Sequence, residues 1–253
     1  MIGSAAPWPR APATLVLGSG DVHVWRAALD VDESRVHGLR HTLAEDERNR
    51  ADRFRFERDR ARFTVARGLL REILSFYTGV APADLRFGRG EYGKPFMRPG
   101  CRGEPPHFNL SHSNGTVLFA VASDREVGVD VEHVRPGLFA AELPLRYFSP
   151  CEVAEISTLA RPLRRAAFFR CWTRKEAYLK ARGDGLSVPL DQFDVVPLSS
   201  PPAVLLGTRD HSREVSRWSV RDLDLGPEFA AAVAVEGESA RLDCRTWSPD
   251  DRC

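Results

Sequence analysis

The chain has 253 residues, with 36 Lys and Arg against 35 Asp and Glu and a formal net charge of +1. That length can bury a sizeable core as one large domain or two small ones, and hydrophobic and charged fractions of 43% and 28% suit a globular protein. The near-neutral balance argues against a dedicated nucleic-acid binder, and the chain shows neither an apolar run of membrane-spanning length nor a secretion signal, which points to the cytoplasm.

Residues 1–12 are rich in Pro and Ala and are expected to form a loose arm. Leu15–Leu17 and Val22–Trp25 read as strands around the Gly18-Ser19-Gly20-Asp21 turn. Thr42-Leu43-Ala44-Glu45 fits a capping box and predicts a helix start. A longer helix is predicted over Asp59–Tyr77, from the stripe Phe63, Ala66, Leu70, Ile73, Leu74 and Tyr77, with Gly79 as its stop. Between Arg48 and Arg71 stand nine arginines, readable either as a solvated face paired with Glu57 and Asp59 or as an anion-binding wall.

Phe108–Leu110 and Val117–Val121 read as strands joined by a turn over Ser111–Gly115, and Val127–Val131 as a further strand. Ser149-Pro150-Cys151-Glu152 combines an N-cap, a first-turn proline and a capping-box glutamate, which gives Glu152 a sufficient structural role. A second helix is predicted over Leu163–Ala181, with Gly183 and Gly185 ending it. Strands follow around Phe193–Val196, Ala203–Leu206, Val215–Val220 and Phe229–Val235, and the polar last dozen residues are expected to fray. Strands and helices without regular alternation indicate α+β. The five cysteines, Cys101, Cys151, Cys171, Cys244 and Cys253, form no Cys-x-x-Cys pair, which argues for reduced thiols rather than a zinc site or disulfide framework.

Gly88-Arg89-Gly90-Glu91-Tyr92-Gly93 matches a dinucleotide fingerprint by letter, and with Lys94 it falls one residue short of a P-loop. Neither context holds. Pro95-Phe96-Met97-Arg98-Pro99 does not open a helix, and Pro95 lacks the hydroxyl that a P-loop offers to magnesium. Lys94 survives as a possible contact to a single phosphate or as an exposed turn lysine.

The chemistry concentrates in two segments. In Gly128-Val129-Asp130-Val131-Glu132, strand alternation puts Asp130 and Glu132 on one face, where adjacent carboxylates repel unless a cation lies between them. Oxygen donors of this kind suit magnesium with a phosphate-bearing substrate, and the plainer alternative is the solvated face of an edge strand. In Trp172–Lys180 a helical stripe runs Phe168, Trp172, Glu176, Lys180 and places Glu176 at the margin of the core. A surface Glu–Lys pair would contribute only ~0.2–0.5 kcal/mol there, whereas magnesium shared with Asp130 and Glu132 would hold Glu176 in place. His112 alone is ambiguous between a turn histidine and a ligand contact.

Taken in order, Gly93-Lys94-Pro95, Phe108-Asn109-Leu110-Ser111-His112-Ser113, Gly128 through Glu132, Phe148-Ser149 with Glu152, Trp172 through Lys180 and Gly183-Asp184-Gly185-Leu186-Ser187 resemble the 4′-phosphopantetheinyl transferases. The similarity is to the larger surfactin-synthetase-activating class, not the small trimeric synthases, and spans roughly residues 45–196. It implies two similar α+β lobes about a pseudo-twofold axis, with coenzyme A between them and a carrier-protein serine as acceptor. On that basis lobes are expected at 13–125 and 126–241, with flexible segments at 1–12 and 242–253.

The resemblance implies magnesium on Asp130, Glu132 and Glu176, with Glu176 helping to deprotonate the serine and Lys180 neutralising the departing phosphate. Thr64 and Lys94 match contacts to the adenosine 3′-phosphate, Ser111 and His112 a nucleotide-contacting turn, and Lys175 a lysine of open role. Arg50 falls near a basic position, although Glu47 stands where the family is basic. A monomer is implied. Two competing functions use the same residues: a magnesium-dependent phosphodiesterase or nuclease, and a silent module binding coenzyme A or carrier protein.

Overall fold

The computed structural model describes residues 8–10, 16–100, 104–134, 147–183, 185, 188–196, 204–208, 216–237 and 240–248. In chain order the elements are β1 (Asp21–Ala28), α1 (Glu33–Arg40), α2 (Glu45–Ala51), α3 (Glu57–Thr78), β2 (Phe87–Arg89), β3 (Pro95–Met97), β4 (His107–Ser113), β5 (Thr116–Ala122) and β6 (Val127–His133). They continue with α4 (Pro150–Thr158), α5 (Arg161–Arg182), β7 (Phe193–Val196), β8 (Val204–Thr208), β9 (Trp218–Asp222), β10 (Phe229–Glu236) and β11 (Arg241–Thr246).

The architecture is α+β in four layers. One sheet has the order β11-β1-β5-β4 and another β6-β10-β9, while β2-β3 and β7-β8 form separate hairpins. Strand alternation divides the apolar residues between layers. Trp25, Val117, Phe119 and Val121 pack with Val65, Leu69, Leu70 and Ile73 of α3. Val22, Val24, Leu118 and Ala120 instead meet Val127, Val129, Val131 and Val233, which fills the space between the two sheets. Beyond the second sheet, Ala232 and Ala234 pack with Cys171, Tyr178 and Leu179 of α5. Each lobe thus sets one 22-residue helix on a sheet, and each helix ends on a left-handed glycine, Gly79 or Gly183.

Several sequence expectations shift. β4 runs through Ser113, so Ser111 and His112 are strand residues rather than turn residues. Asn114 and Gly115, both at positive φ, turn the chain in two residues and leave the strands longer. The box expected at Thr42 falls two residues later: Glu47 accepts from the Ala44 backbone N–H, and α2 starts at Glu45. The short helix α1, capped by Asp32, was not anticipated. The tail expected to be flexible from residue 242 instead forms most of β11, which pairs parallel with β1 from Asp21↔Arg241 to Arg26↔Thr246. That strand satisfies the edge of β1, and an Arg241–Asp21 ion pair fastens its start. Leu15 and most of residues 1–12 lie outside the described residues, as do Asp184, Leu186 and Ser187. Among the described residues no helix is long and apolar enough to cross a membrane.

Candidate active site

β4 and β6 lie edge to edge where the two sheets meet, and side chains take the place of a backbone ladder. Asn109 Oδ1 accepts from the Val129 N–H, Ser111 Oγ from Val131 and Ser113 Oγ from His133, at 3.0, 3.4 and 3.0 Å. The two serine hydroxyls donate onward, Ser111 to Asp130 Oδ1 at 2.8 Å and Ser113 to Glu132 Oε2 at 3.0 Å. A hydroxyl can do both at once, so each serine fixes the β6 backbone and a β6 carboxylate together.

α5 lies against the face of β6 that carries Gly128, Asp130 and Glu132. Gly128 makes that approach possible: a Cβ there would stand 2.2 Å from the Ala177 carbonyl oxygen and 2.3 Å from the Ala181 nitrogen. The close packing brings Lys180 Nζ to 2.6 Å from Asp130 Oδ1 and 3.1 Å from Ser111 Oγ. Asp130 is buried, and its Oδ2 has no hydrogen-bond partner. Phe168, Trp172, Glu176 and Lys180 are all half-buried, so the stripe does mark the margin of the core. Burial pushes the Glu176 carboxyl above its ordinary value; Lys180 opposes that push, and Asp130 and Glu132 add to it. Asp130, Glu132, Glu176, Lys180 and Ser111 therefore form one coupled group drawn from both lobes.

His112, next along β4, points its ring the other way and lines a cavity of about 550 Å³ with Leu110, Phe54, Phe63 and Phe87. Arg50, Arg67, Arg86, Arg89 and Arg98 also border it. Burial lowers the His112 pKa, and the nearby Lys180 lowers it further. The cavity and the carboxylate group thus sit on opposite faces of one strand.

A family model described as the 4′-phosphopantetheinyl transferase superfamily matches residues 126–234, and one described as 4′-phosphopantetheinyl transferase, N-terminal, matches residues 31–125. The chain is 39% identical over 230 residues to the 4′-phosphopantetheinyl transferase HetI of Nostoc sp., covering 91% of this chain and 94% of that protein. The chain belongs to the 4′-phosphopantetheinyl transferase superfamily. It is also similar to the transferase psf-1 of Bacillus pumilus, 31% identical over 209 residues with 81% of this chain and 84% of that one covered. With the transferase Sfp of Bacillus subtilis it shares 32% over 155 residues, covering 60% and 66%. The protein is an enzyme that transfers phosphopantetheine from coenzyme A to carrier proteins.

The transferase does not bring every expected residue to this group. Lys175 is fully buried, with its ammonium 2.8 Å from the equally buried Glu152 and hydrogen-bonded to the carbonyls of Leu190 and Phe193. Three acceptors use all three of its N–H donors. Thr64 is buried on α3 and lines a different cavity, of about 290 Å³, with Arg40, Asp52 and Arg60. Lys94 is engaged with Glu126 and with the carbonyls of Val127 and Ala181.

The arginine-rich stretch divides. Arg62 pairs with Asp30, and Arg67 and Arg71 pair with Glu47, so the acidic residue that looked out of place holds one half-buried and one buried guanidinium group. Arg50 and Arg89 make no ion pair with any described carboxylate, and both face the larger cavity. Asn109, Ser113, Glu126 and the packing role of Gly128 were not found from sequence. Only the small polar residues at every second position, Asn109, Ser111 and Ser113, could have signalled the first two.

Proposed function

We propose that the cavity holds the nucleotide end of coenzyme A and that the group around Asp130 carries out the transfer, releasing 3′,5′-ADP. The observation that carries this reading is a buried Asp130 clamped by Lys180 and Ser111 beside a raised Glu176, one strand face away from an arginine-bordered cavity. Arg50, Arg86, Arg89 and Arg98 supply planar donors suited to the nucleotide phosphates. His112 borders the cavity while Ser111 beside it faces Asp130 and Lys180, so a pyrophosphate extending past this strand would come near Lys180.

The carrier serine Oγ attacks the phosphorus attached to pantetheine, and that phosphorus breaks its bond to the bridging oxygen of the departing 3′,5′-ADP. Glu176 takes the serine proton. Its raised carboxyl is a better base near neutrality than an ordinary one. Lys180 balances the charge that gathers on the leaving phosphate. No protein nucleophile is required, because the carrier serine attacks and phosphoryl transfer depends on positioning and charge.

Magnesium fits the donor set. Asp130, Glu132 and Glu176 offer only oxygen, Asp130 Oδ2 is buried without a partner, and Asp130 and Glu132 both disfavour the charge on Glu176. Among the described residues no three His, Cys, Asp or Glu side chains are already gathered at ligating distance, so binding would draw these in. Once bound, the ion supplies charge neutralisation at the pyrophosphate. The enzyme is further proposed to act as a cytoplasmic monomer, since one chain supplies both lobes of the site.

The test is intact mass spectrometry of an apo carrier protein incubated with the enzyme, coenzyme A and magnesium. The carrier should gain the mass of the phosphopantetheine arm, and a chelator or Glu176→Gln should abolish the gain. Transfer undiminished in Glu176→Gln would remove Glu176 as the base. Full transfer in the presence of chelator would remove the metal.

A further inference from the structure

Lys94 and Glu126 stand where the two lobes join, and the chemistry above makes no use of them. Lys94 ends the turn between β2 and β3, which Gly93 closes at φ 86°. Its ammonium lies 2.6 Å from Glu126 Oε2, 3.1 Å from the Val127 carbonyl and 2.7 Å from the Ala181 carbonyl. An ammonium has three N–H donors, and all three are spent. The methylene stem packs against the helix end, with Cδ 3.3 Å from where a Cβ of Gly183 would stand.

Each partner has its own need of the lysine. The last carbonyls of a helix lack intrahelical donors, and a cation there meets the negative end of the helix dipole. Gly183 N–H serves Leu179, which leaves the Ala181 carbonyl to Lys94. Glu126 offers its other oxygen to His107 Nδ1 at 3.1 Å, so the start of β4 joins the same cluster. One side chain thereby ties the β2–β3 hairpin to the first residue of β6 and to the end of α5. Those two elements carry Asp130 and Glu132 on one side and Glu176 and Lys180 on the other.

We infer that Lys94, held by Glu126, is a positioning residue that locks α5 against β6 from the N-terminal lobe and does not contact a substrate phosphate. This rests on the transferase reading of the site. To reach a phosphate, Lys94 would have to abandon three acceptors and leave Glu126 with His107 alone. The inference also assigns Glu126 a part in turnover, although it lies outside the carboxylate group.

The two roles separate when coenzyme A is compared with its analogue lacking the 3′-phosphate. Wild type, Lys94→Met, Glu126→Gln and the double variant would be assayed for carrier mass gain with both donors. A positioning Lys94 predicts that Lys94→Met lowers kcat about tenfold or more with either donor. The ratio of the two KM values should stay within about twofold of wild type. Glu126→Gln should lower kcat in the same sense, and the double variant should lose little beyond Lys94→Met, as expected of one shared interaction.

A selective rise in KM for coenzyme A, up to that of the analogue, would overturn the inference in favour of a direct phosphate contact. So would wild-type kinetics in Lys94→Met. If Lys94→Met gave no cooperative melting transition, Glu126→Gln would decide by the same kcat criterion, since it keeps the volume and removes only the charge. A wild type inert with both donors would sink the transferase reading itself, which no variant is needed to see.

Discussion

Gly128→Ala puts a number on how closely the two halves of the site must approach. The added Cβ would lie 2.2 Å from the Ala177 carbonyl oxygen, 2.3 Å from the Ala181 nitrogen and 2.8 Å from the Ala181 Cα. All three are backbone atoms of α5 and cannot swing aside as a side chain could. Non-bonded heavy atoms settle near ~3.5 Å, so the helix must retreat by about 1 Å. Gly128 does not have positive φ, so the alanine brings steric displacement without backbone strain. Overpacking of this kind costs ~1–3 kcal/mol, and each kcal/mol lowers Tm by ~2–4 °C in a chain of this size. The larger effect falls on activity, because a displacement of ~1 Å between catalytic groups costs ~10²-fold in rate. Thermal unfolding and carrier mass gain would be measured side by side. Gly38→Ala serves as the control: its added Cβ meets nothing within 4 Å, and it sits within helix α1. If Gly128→Ala kept wild-type kcat and Tm, the argument that α5–β6 contact sets the site would be wrong.

Glu152→Ala should destabilise the protein by ~3–5 kcal/mol in chemical denaturation, because it strands the fully buried Lys175; adding Lys175→Met should restore part of that loss. Arg89→Ala should raise KM for coenzyme A while leaving kcat nearly unchanged, as loss of uniform binding does, and a kcat defect at constant KM would move Arg89 out of the nucleotide cavity. His107 and Glu126 should give stability a pH window. The hydrogen bond that His107 donates to Glu126 raises His107 above 6.5, with burial and Lys94 opposing the effect and Glu236 adding to it, so this stabilisation is complete below 6.5 and fades as pH rises through the raised value. Burial alone would push Glu126 up from 4.5, but hydrogen bonds from His107 and Lys94 outweigh it and hold it at about 2, so its share is present above 4.5 and fades as pH falls toward 2. The stability difference between wild type and His107→Gln, from urea melts, should peak between these limits; a difference independent of pH would show that the pair does not couple to folding.

The sequence carried the elements whose chemistry is local. Ser149-Pro150-Cys151-Glu152 caps α4 as read, with the Glu152 carboxylate accepting from the Ser149 N–H, and Gly79 and Gly183 close α3 and α5 in the left-handed conformation. The alternation in Gly128–Glu132 also held, with the valines in the core between the sheets and the carboxylates on the other face. What failed depends on partners far along the chain. β11 is a short, mostly polar segment in which only Leu242 and Cys244 alternate with charged residues, and it forms because β1, more than two hundred residues earlier, offers an edge. Glu152 reads as a cap, and nothing local says that Lys175 will be buried against it. The arginines between Arg48 and Arg71 look alike in sequence, yet Asp30 and Glu47 neutralise three of them and leave Arg50 to the cavity.

The seam between the lobes explains why the site had to be partly illegible. A backbone ladder between β4 and β6 would have joined the two sheets into one and fixed the pitch of β6 by sheet twist alone. Asn109, Ser111 and Ser113 instead reach across at a constant offset of 20 residues, to Val129, Val131 and His133. Each such bond contributes only ~0.5–1.5 kcal/mol, but leaving a buried N–H unpaired costs ~1–3 kcal/mol, so the set constrains more than it stabilises. Because Ser111 and Ser113 also hold Asp130 and Glu132, the contacts that join the lobes and those that aim the carboxylates are the same. Turnover should therefore be more sensitive than folding to changes along this seam. In the sequence these residues are a short run of polar side chains on a strand, and only the facing backbone gives them that role.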